Sequence, residues 1–214
     1  MALRAVIVDY DTGNLHSAEK AFQRMAAEVG GGEVVVTADP AALAGASHIV
    51  LPGDGAFPAC MEALQAVEGL QAALQAEVIG RGKPFLGICV GMQLLADRGL
   101  EYRATPGLGW IGGEVGRIVA EDPALKVPHM GWNDLVVDRP HPVLEGISTG
   151  DHVYFVHSYH FDVADPGHLL AHADHGGPRA AVVGRDNILG TQFHPEKSQA
   201  TGLRLIANFL RWRP

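Results

Sequence analysis

Two short stretches, far apart in the chain, carry side chains that could do covalent chemistry together. The first is Lys83-Pro84-Phe85-Leu86-Gly87-Ile88-Cys89-Val90-Gly91-Met92-Gln93-Leu94-Leu95. Pro84 to Ile88 is a short apolar run and reads as a buried strand. From Val90 the spacing turns helical, with Met92, Leu95 and Ala96 on one face. Cys89 is thereby placed on a sharp strand-to-helix turn, with Gly87 and Gly91 two residues away on either side. That is the layout of a nucleophile elbow with sulfur in place of the hydroxyl. A helix N-terminus beside the sulfur offers unpaired N–H groups and partial positive charge, both of which favour thiolate. Taken alone, a free cysteine is more often an inert core residue. The second stretch, Thr191-Gln192-Phe193-His194-Pro195-Glu196, supplies what a nucleophile would need. His194 ends a strand over Ile188 to Phe193, and an extended path through Pro195 would put Glu196 on the same side. The carboxylate would fix the imidazole tautomer and leave the other ring nitrogen for the sulfur. A Cys89–His194–Glu196 triad is the expectation.

The elements that must position these residues alternate in the first half. Strands are predicted at Leu3 to Asp9, Glu33 to Thr37 and His48 to Leu51. The helix after the first strand carries Leu15, Ala18, Phe22 and Met25 on one stripe, is capped by Asn14, and ends at Gly30-Gly31-Gly32. Pro58 suits the first turn of a helix with Met61, Ala63 and Leu64, and Gly69 to Ile79 reads as another helix. Strands alternating with helices indicate βαβ units and a parallel sheet. The second half has short strands at Gly112 to Ala120, Asn133 to Asp138, His152 to Val156, Tyr159 to Val163, Leu169 to Ala173, Ala180 to Gly184 and Ile188 to Phe193. They read as hairpins added to the sheet, closed by a helix from Gln199 to Trp212. The expected fold is a single α/β domain over residues 1–214. Its central sheet is mixed, mainly parallel, flanked by helices and flavodoxin-like, with the site at the strands' carboxyl ends.

Gly87-x-Cys89-x-Gly91-x-Gln93 with His194-Pro195-Glu196 resembles the class I, triad-type glutamine amidotransferases. Three more stretches narrow the resemblance: Leu51-Pro52-Gly53-Asp54-Gly55-Ala56-Phe57, Val127-Pro128-His129-Met130-Gly131-Trp132-Asn133 and Tyr154-Phe155-Val156-His157-Ser158-Tyr159. They are similar to the glutaminase subunits of imidazole glycerol phosphate synthase, over most of the chain from Val6 to Phe209. The resemblance implies that glutamine is hydrolysed and its ammonia passed to a cyclase subunit, a (β/α)8 barrel, in histidine biosynthesis. It implies an oxyanion hole from the Gly53–Gly55 loop and the N–H of Val90. It also implies substrate binding by Gln93 and the backbone of Ser158 and Tyr159. The partner face would carry Asn14, His129, Trp132, Asn133 and Lys197. No metal or organic cofactor is implied. Asp54 departs from the family pattern, where valine is common. A carboxylate facing a developing oxyanion would oppose it, so Asp54 is expected to point elsewhere. Rival readings are a glutaminase of another synthase, such as pyridoxal phosphate synthase, a general cysteine hydrolase, and a non-catalytic scaffold of the same fold.

A net charge of −8 in 214 residues argues against nucleic acid or an anionic membrane as partner. Two cysteines make no disulfide framework. No signal-peptide layout or membrane-length apolar run is read, so a cytoplasmic location is expected. The eleven histidines include His157-x2-His160 and His168-x3-His172-x2-His175. The latter group spans a strand and a glycine turn without a completing acid or cysteine, so metal binding is not expected.

Overall fold

The computed structural model describes residues 2–13, 15–119 and 125–214. The first half supplies β1 (Arg4–Val8), α1 (Leu15–Glu28), β2 (Glu33–Thr37), β3 (His48–Gly53), α2 (Phe57–Ala66), α3 (Leu70–Leu74), β4 (Phe85–Cys89) and α4 (Val90–Gln93). The second half supplies β5 (Arg98–Gly99), β6 (Thr105–Pro106), β7 (Gly113–Arg117), β8 (His129–Asp134), β9 (Val136–Val137), β10 (His152–His157) and β11 (Tyr159–Val163). Then come β12 (Leu169–Asp174), β13 (Pro178–Arg185), β14 (Ile188–Thr191) and α5 (Gln199–Arg211).

The main sheet has the order β2-β1-β3-β4-β14-β13-β12-β9. Pairings from β2 through β14 are parallel, and β14, β13, β12 and β9 continue the sheet antiparallel. The parallel strands are apolar along their length because helices cover both faces. Residues of β1, β3 and β4 are buried almost without alternation. The chain leaves β1 toward β2 on one side and β3 toward β4 on the other. That reversal opens a crevice at the carboxyl ends, where open α/β sheets hold ligands. On the α1 face, Phe22 meets Phe209 of α5 edge-on, ring centroids 6.4 Å apart.

The helix expected over Gly69 to Ile79 is present but changes character at Gln75, its last six residues being a π-helical turn. The helix after Cys89 is a single turn, α4, although Met92, Leu95 and Ala96 are all buried as their spacing required. The second-half strands do not all join the main sheet. β8 and β10 form a separate two-stranded ribbon, and β11, β7, β5 and β6 a four-stranded sheet. The cause is local: Ser158 alone separates β10 from β11, and the chain changes sheets there. β8 also begins earlier than its apolar pattern indicated. Pairing with β10 from His129 opposite His157 to Asp134 opposite His152 makes His129 a strand residue. Asn14 and its expected capping role lie outside the described residues, as does Ala120.

Candidate active site

Cys89 ends β4 with φ +56° and ψ −114°, a left-handed backbone that non-glycine residues rarely adopt. The turn holds because the two flanking glycines let three segments touch. A Cβ on Gly91 would collide with the carbonyl of Leu51 in β3, and one on Gly87 would stand 2.7 Å from the carbonyl carbon of Gly91. Register places Gly53 directly beside Cys89, so the Pro52–Gly55 loop necessarily borders the sulfur. Its peptides are held from below by buried donors. The Tyr10 hydroxyl donates to the Pro52 carbonyl at 2.6 Å, and the Cys60 thiol to the Asp54 carbonyl at 3.3 Å.

β14, parallel to β4, delivers His194 to the same end of the sheet. The path beyond it is not extended as expected: Pro195–Lys197 is a 3₁₀ turn starting from an extended His194. The turn achieves the same contact, with His194 Nδ1 2.9 Å from Glu196 Oε1. A carboxylate only accepts, so Nδ1 carries the proton and Nε2 is left for Cys89. Ser198 secures the histidine, donating from its hydroxyl to the His194 carbonyl at 2.7 Å while accepting from Tyr154 N–H at 3.0 Å. Burial on its own would lower the His194 pKa. Hydrogen bonds and charge from Cys89 and Glu196 override it and hold the ring at about 10. The resting imidazole therefore carries both ring protons at neutral pH, between the Cys89 sulfur and the Glu196 carboxylate.

Beside the sulfur lies a cleft of about 260 Å³ walled by Asp54, Gly55, Val90, Gln93, Glu101, Ser158 and Tyr159 among others. Its size is at the small end of ligand sites and suits a single amino acid. A larger groove, about 660 Å³, runs along Val137 to Ile147 but holds none of the triad. Gln93 is 3 % exposed. Its amide nitrogen donates to the Tyr159 carbonyl at 3.0 Å and to Gln192 Oε1 at 2.9 Å, so its own oxygen remains for a ligand. The Tyr159 carbonyl is filled a second time by His157 Nδ1 at 2.8 Å, and the Ser158 carbonyl accepts from Ile118 N–H. These backbone carbonyls are therefore occupied by the protein rather than open to a substrate. Asp54 is exposed and borders the cleft.

Two residues of the site had been given no role. Glu101 puts a buried carboxylate on the cleft wall while accepting from Phe57 N–H at 2.8 Å, at the start of α2. Gln192, wholly buried, aims its amide nitrogen at Cys89 Sγ, 3.8 Å away. The signal for Gln192 was a polar side chain inside an apolar strand, which must find partners; Glu101 gave none.

Of the residues expected on a partner face, Trp132 is 48 % exposed and Lys197 is exposed; Met130, on the same side of β8 as Trp132, is 62 % exposed. Trp132 stands edge-on to Tyr154 with centroids 5.9 Å apart. His129 does not share that face. Alternation along β8 turns its ring inward, where it stacks on Phe155 at 4.5 Å and His175 at 4.1 Å. Asn133 follows on the same side and bonds His129. The spaced histidines His168, His172 and His175 have separate partners: Asp165, Asp138 and the Lys126 carbonyl.

The family model for class-I glutamine amidotransferases matches residues 6–212. The chain is 67% identical over 209 residues to the imidazole glycerol phosphate synthase subunit HisH of Cereibacter sphaeroides, covering 98% of this chain and 99% of that one. It is 64% identical to the subunit of the same name from Ruegeria pomeroyi, covering 97% and 98%, and 58% identical to that of Rhodospirillum rubrum, covering 99% and 100%. Among solved structures, one titled as a glutamine amidotransferase aligns with TM-score 0.73 at 21% identity, covering 97% of each chain. Another glutamine amidotransferase, from Thermotoga maritima, aligns with TM-score 0.61 at 17% identity, covering 92% and 77%. These two likenesses concern the fold.

Proposed function

Because the chain belongs to the class-I glutamine amidotransferases, and within them to the imidazole glycerol phosphate synthase HisH subunits, we propose that Cys89, His194 and Glu196 hydrolyse glutamine. The protein is the glutaminase subunit of that synthase, acting in histidine biosynthesis. The observation that carries the catalytic assignment is the strained Cys89 elbow, on an amino-acid-sized cleft, with its sulfur hydrogen-bonded to a glutamate-paired His194.

The side-chain amide of glutamine enters toward Cys89. Its α-ammonium meets acceptors, Gln93 Oε1 and the Glu101 carboxylate, while donors of the Ser158–Tyr159 segment serve the α-carboxylate. The Cys89 thiolate attacks the amide carbon, and the oxygen gains negative charge beside the N–H groups of Val90 and the Gly53–Gly55 loop. His194, already protonated, gives its Nε2 proton to the departing nitrogen, which leaves as ammonia. A γ-glutamyl thioester remains on Cys89. With the thiolate charge consumed, one of the two anions that hold His194 protonated is gone, and the ring is neutral when needed as a base. It takes a proton from water as that water attacks the thioester. Glutamate leaves, and the thiolate–imidazolium pair is restored. Glu196 orients the ring throughout.

The ammonia passes to a cyclase subunit, a (β/α)8 barrel, docked on the face that carries Trp132 and Lys197. No cofactor enters the glutaminase step. The test is a diazoketone analogue of glutamine, which should add one label, on Cys89, and block glutamine use by the assembled synthase. Cys89→Ala should abolish glutamine-dependent turnover and leave ammonia-dependent turnover of the assembly intact. Glutamine use by the Cys89→Ala assembly would disprove the triad. Failure of the chain to associate with the cyclase would favour a different synthase.

A further inference from the structure

A chain of buried and half-buried hydrogen bonds joins Asn133 to the catalytic sulfur. Asn133 Nδ2 lies 2.8 Å from the Asp174 carbonyl and 3.1 Å from His129 Nε2. Asn133 Oδ1 accepts from Asp134 N–H at 2.8 Å, so the amide orientation is fixed from both sides. His129 Nε2 must therefore accept, which leaves the proton of a neutral ring on Nδ1. That nitrogen faces His157 Nε2 at 3.0 Å, and the same reasoning protonates His157 at Nδ1. His157 Nδ1 then donates to the Tyr159 carbonyl at 2.8 Å, which can only accept. The sequence of donors closes without contradiction from either end. On the far side of that carbonyl stand Gln93, Gln192 and Cys89 Sγ.

We propose that His129 and His157 are positioning residues for glutamine hydrolysis, a tautomer-locked pair that fixes the Tyr159 carbonyl and, through Gln93 and Gln192, the Cys89 sulfur. The pair is set by register, since the two rings are directly opposite each other in the β8–β10 ribbon. It is not a proton wire: both sides donate into the Tyr159 oxygen, so no proton can cross there. What it transmits is position. Gln93 spends both amide hydrogens on the network, which orients its oxygen into the cleft. Gln192, held by Gln93, keeps a donor on the sulfur. Both rings must be neutral to accept at Nε2. Burial pushes His129 down to about 3, with His157 and His175 adding to it. Burial likewise takes His157 to about 4, against the Tyr159 bond and aided by His160, His175 and Arg179.

The proposal rests on the glutaminase reading for its effect on KM, but its effect on the sulfur can be read without glutamine. Alkylation of Cys89 by chloroacetamide at neutral pH measures how well the thiolate is held. His157→Phe keeps the ring volume and removes both hydrogen bonds. It should slow labelling and raise KM for glutamine in the assembled synthase by about tenfold, the worth of one buried hydrogen bond. His157→Asn places an amide donor where Nδ1 stood and should recover most of both losses. His129→Phe should give a smaller loss, and adding it to His157→Phe should cost nothing further, because the two act through one carbonyl. Should His157→Phe fail to fold, His157→Asn and the same variant combined with His129→Phe carry the comparison. Labelling and KM unchanged in His129→Phe and His157→Phe would overturn the proposal. So would losses in His157→Asn as large as those in His157→Phe, or additive losses in the double variant. If the assembled parent synthase does not hydrolyse glutamine while labelling follows the expected order, the glutaminase reading fails and the pair stands as positioning residues for the Cys89 sulfur alone.

Discussion

Asp54 stands where the chemistry of the cleft is least comfortable with a carboxylate. It is exposed and borders the pocket, one residue from Gly53, which is in register with Cys89. A fixed negative charge near the developing oxyanion opposes it, and solvent at an exposed position screens most of that opposition. Asp54→Val should therefore leave glutamine turnover unchanged or raise it, since the contact that holds the loop uses the Asp54 carbonyl rather than its side chain. A fall of about a hundredfold in kcat/KM, about 2.7 kcal/mol, would show that the carboxylate takes a positive part. At this scale the proposed triad could be picked out because a cysteine between two glycines and a histidine two residues before a glutamate are rare in combination. Glu101 was not, because nothing in the sequence brings a turn after α4 back over the start of α2. The inward turn of His129 was missed because its strand begins earlier than the apolar residues of the stretch indicate.

Among the elements, the Pro52–Gly55 loop is the one placed to gate the site. Tyr10 holds the Pro52 carbonyl and Cys60 the Asp54 carbonyl, so the Gly53–Asp54 peptide lies between two pinned neighbours. Glycine at 53 lets that peptide turn over at little steric cost. Its rotation would carry an N–H into or out of the oxyanion hole, a change on the order of 10²–10³ in rate without movement of the triad. Ammonia made without a cyclase is wasted. The isolated chain should accordingly hydrolyse glutamine slowly, and glutamate release should rise steeply when the cyclase and a nucleotide-like ligand are added. Full activity of the chain alone would dismiss the gate and leave the triad untouched. Elements of the βαβ half could be read within a residue or two because each buries an apolar run or stripe against one sheet. The later strands could be located but not assigned to sheets, since an alternating strand satisfies a ribbon as well as a sheet edge. The 3₁₀ turn at Pro195 was hidden because it delivers Glu196 to the same place that an extended path would.

At the scale of the whole molecule, histidine burial sets how stability depends on pH. Burial is the first cause of a lowered pKa at His48, His129, His141, His157 and His160, with values of about 4, 3 and 4 at His48, His129 and His157. In the unfolded chain these rings take up protons near pH 6.5, whereas in the folded protein they do so only at lower pH. Below pH 6.5 the unfolded state thus binds more protons, and stability falls as the pH falls. His194 has the opposite sign. Raised to about 10, it is protonated in both states below pH 6.5 and adds no slope there; its contribution is lost as the pH rises from 6.5 toward 10. Each fully titrating ring is worth about 1.4 kcal/mol per pH unit, so the three rings with values near 3 to 4 together approach about 4 kcal/mol per unit. Against a total of roughly 5–15 kcal/mol for a domain, that slope is steep. Thermal unfolding followed by circular dichroism should show a midpoint that is highest near neutrality and drops sharply between pH 6 and 4.5. The acid limb should be shallower in the His129→Phe, His157→Phe double variant, which lacks two of the rings. A midpoint that stays level from pH 7 to 5 in the parent protein would mean that the buried histidines accept protons in place, contrary to their surroundings.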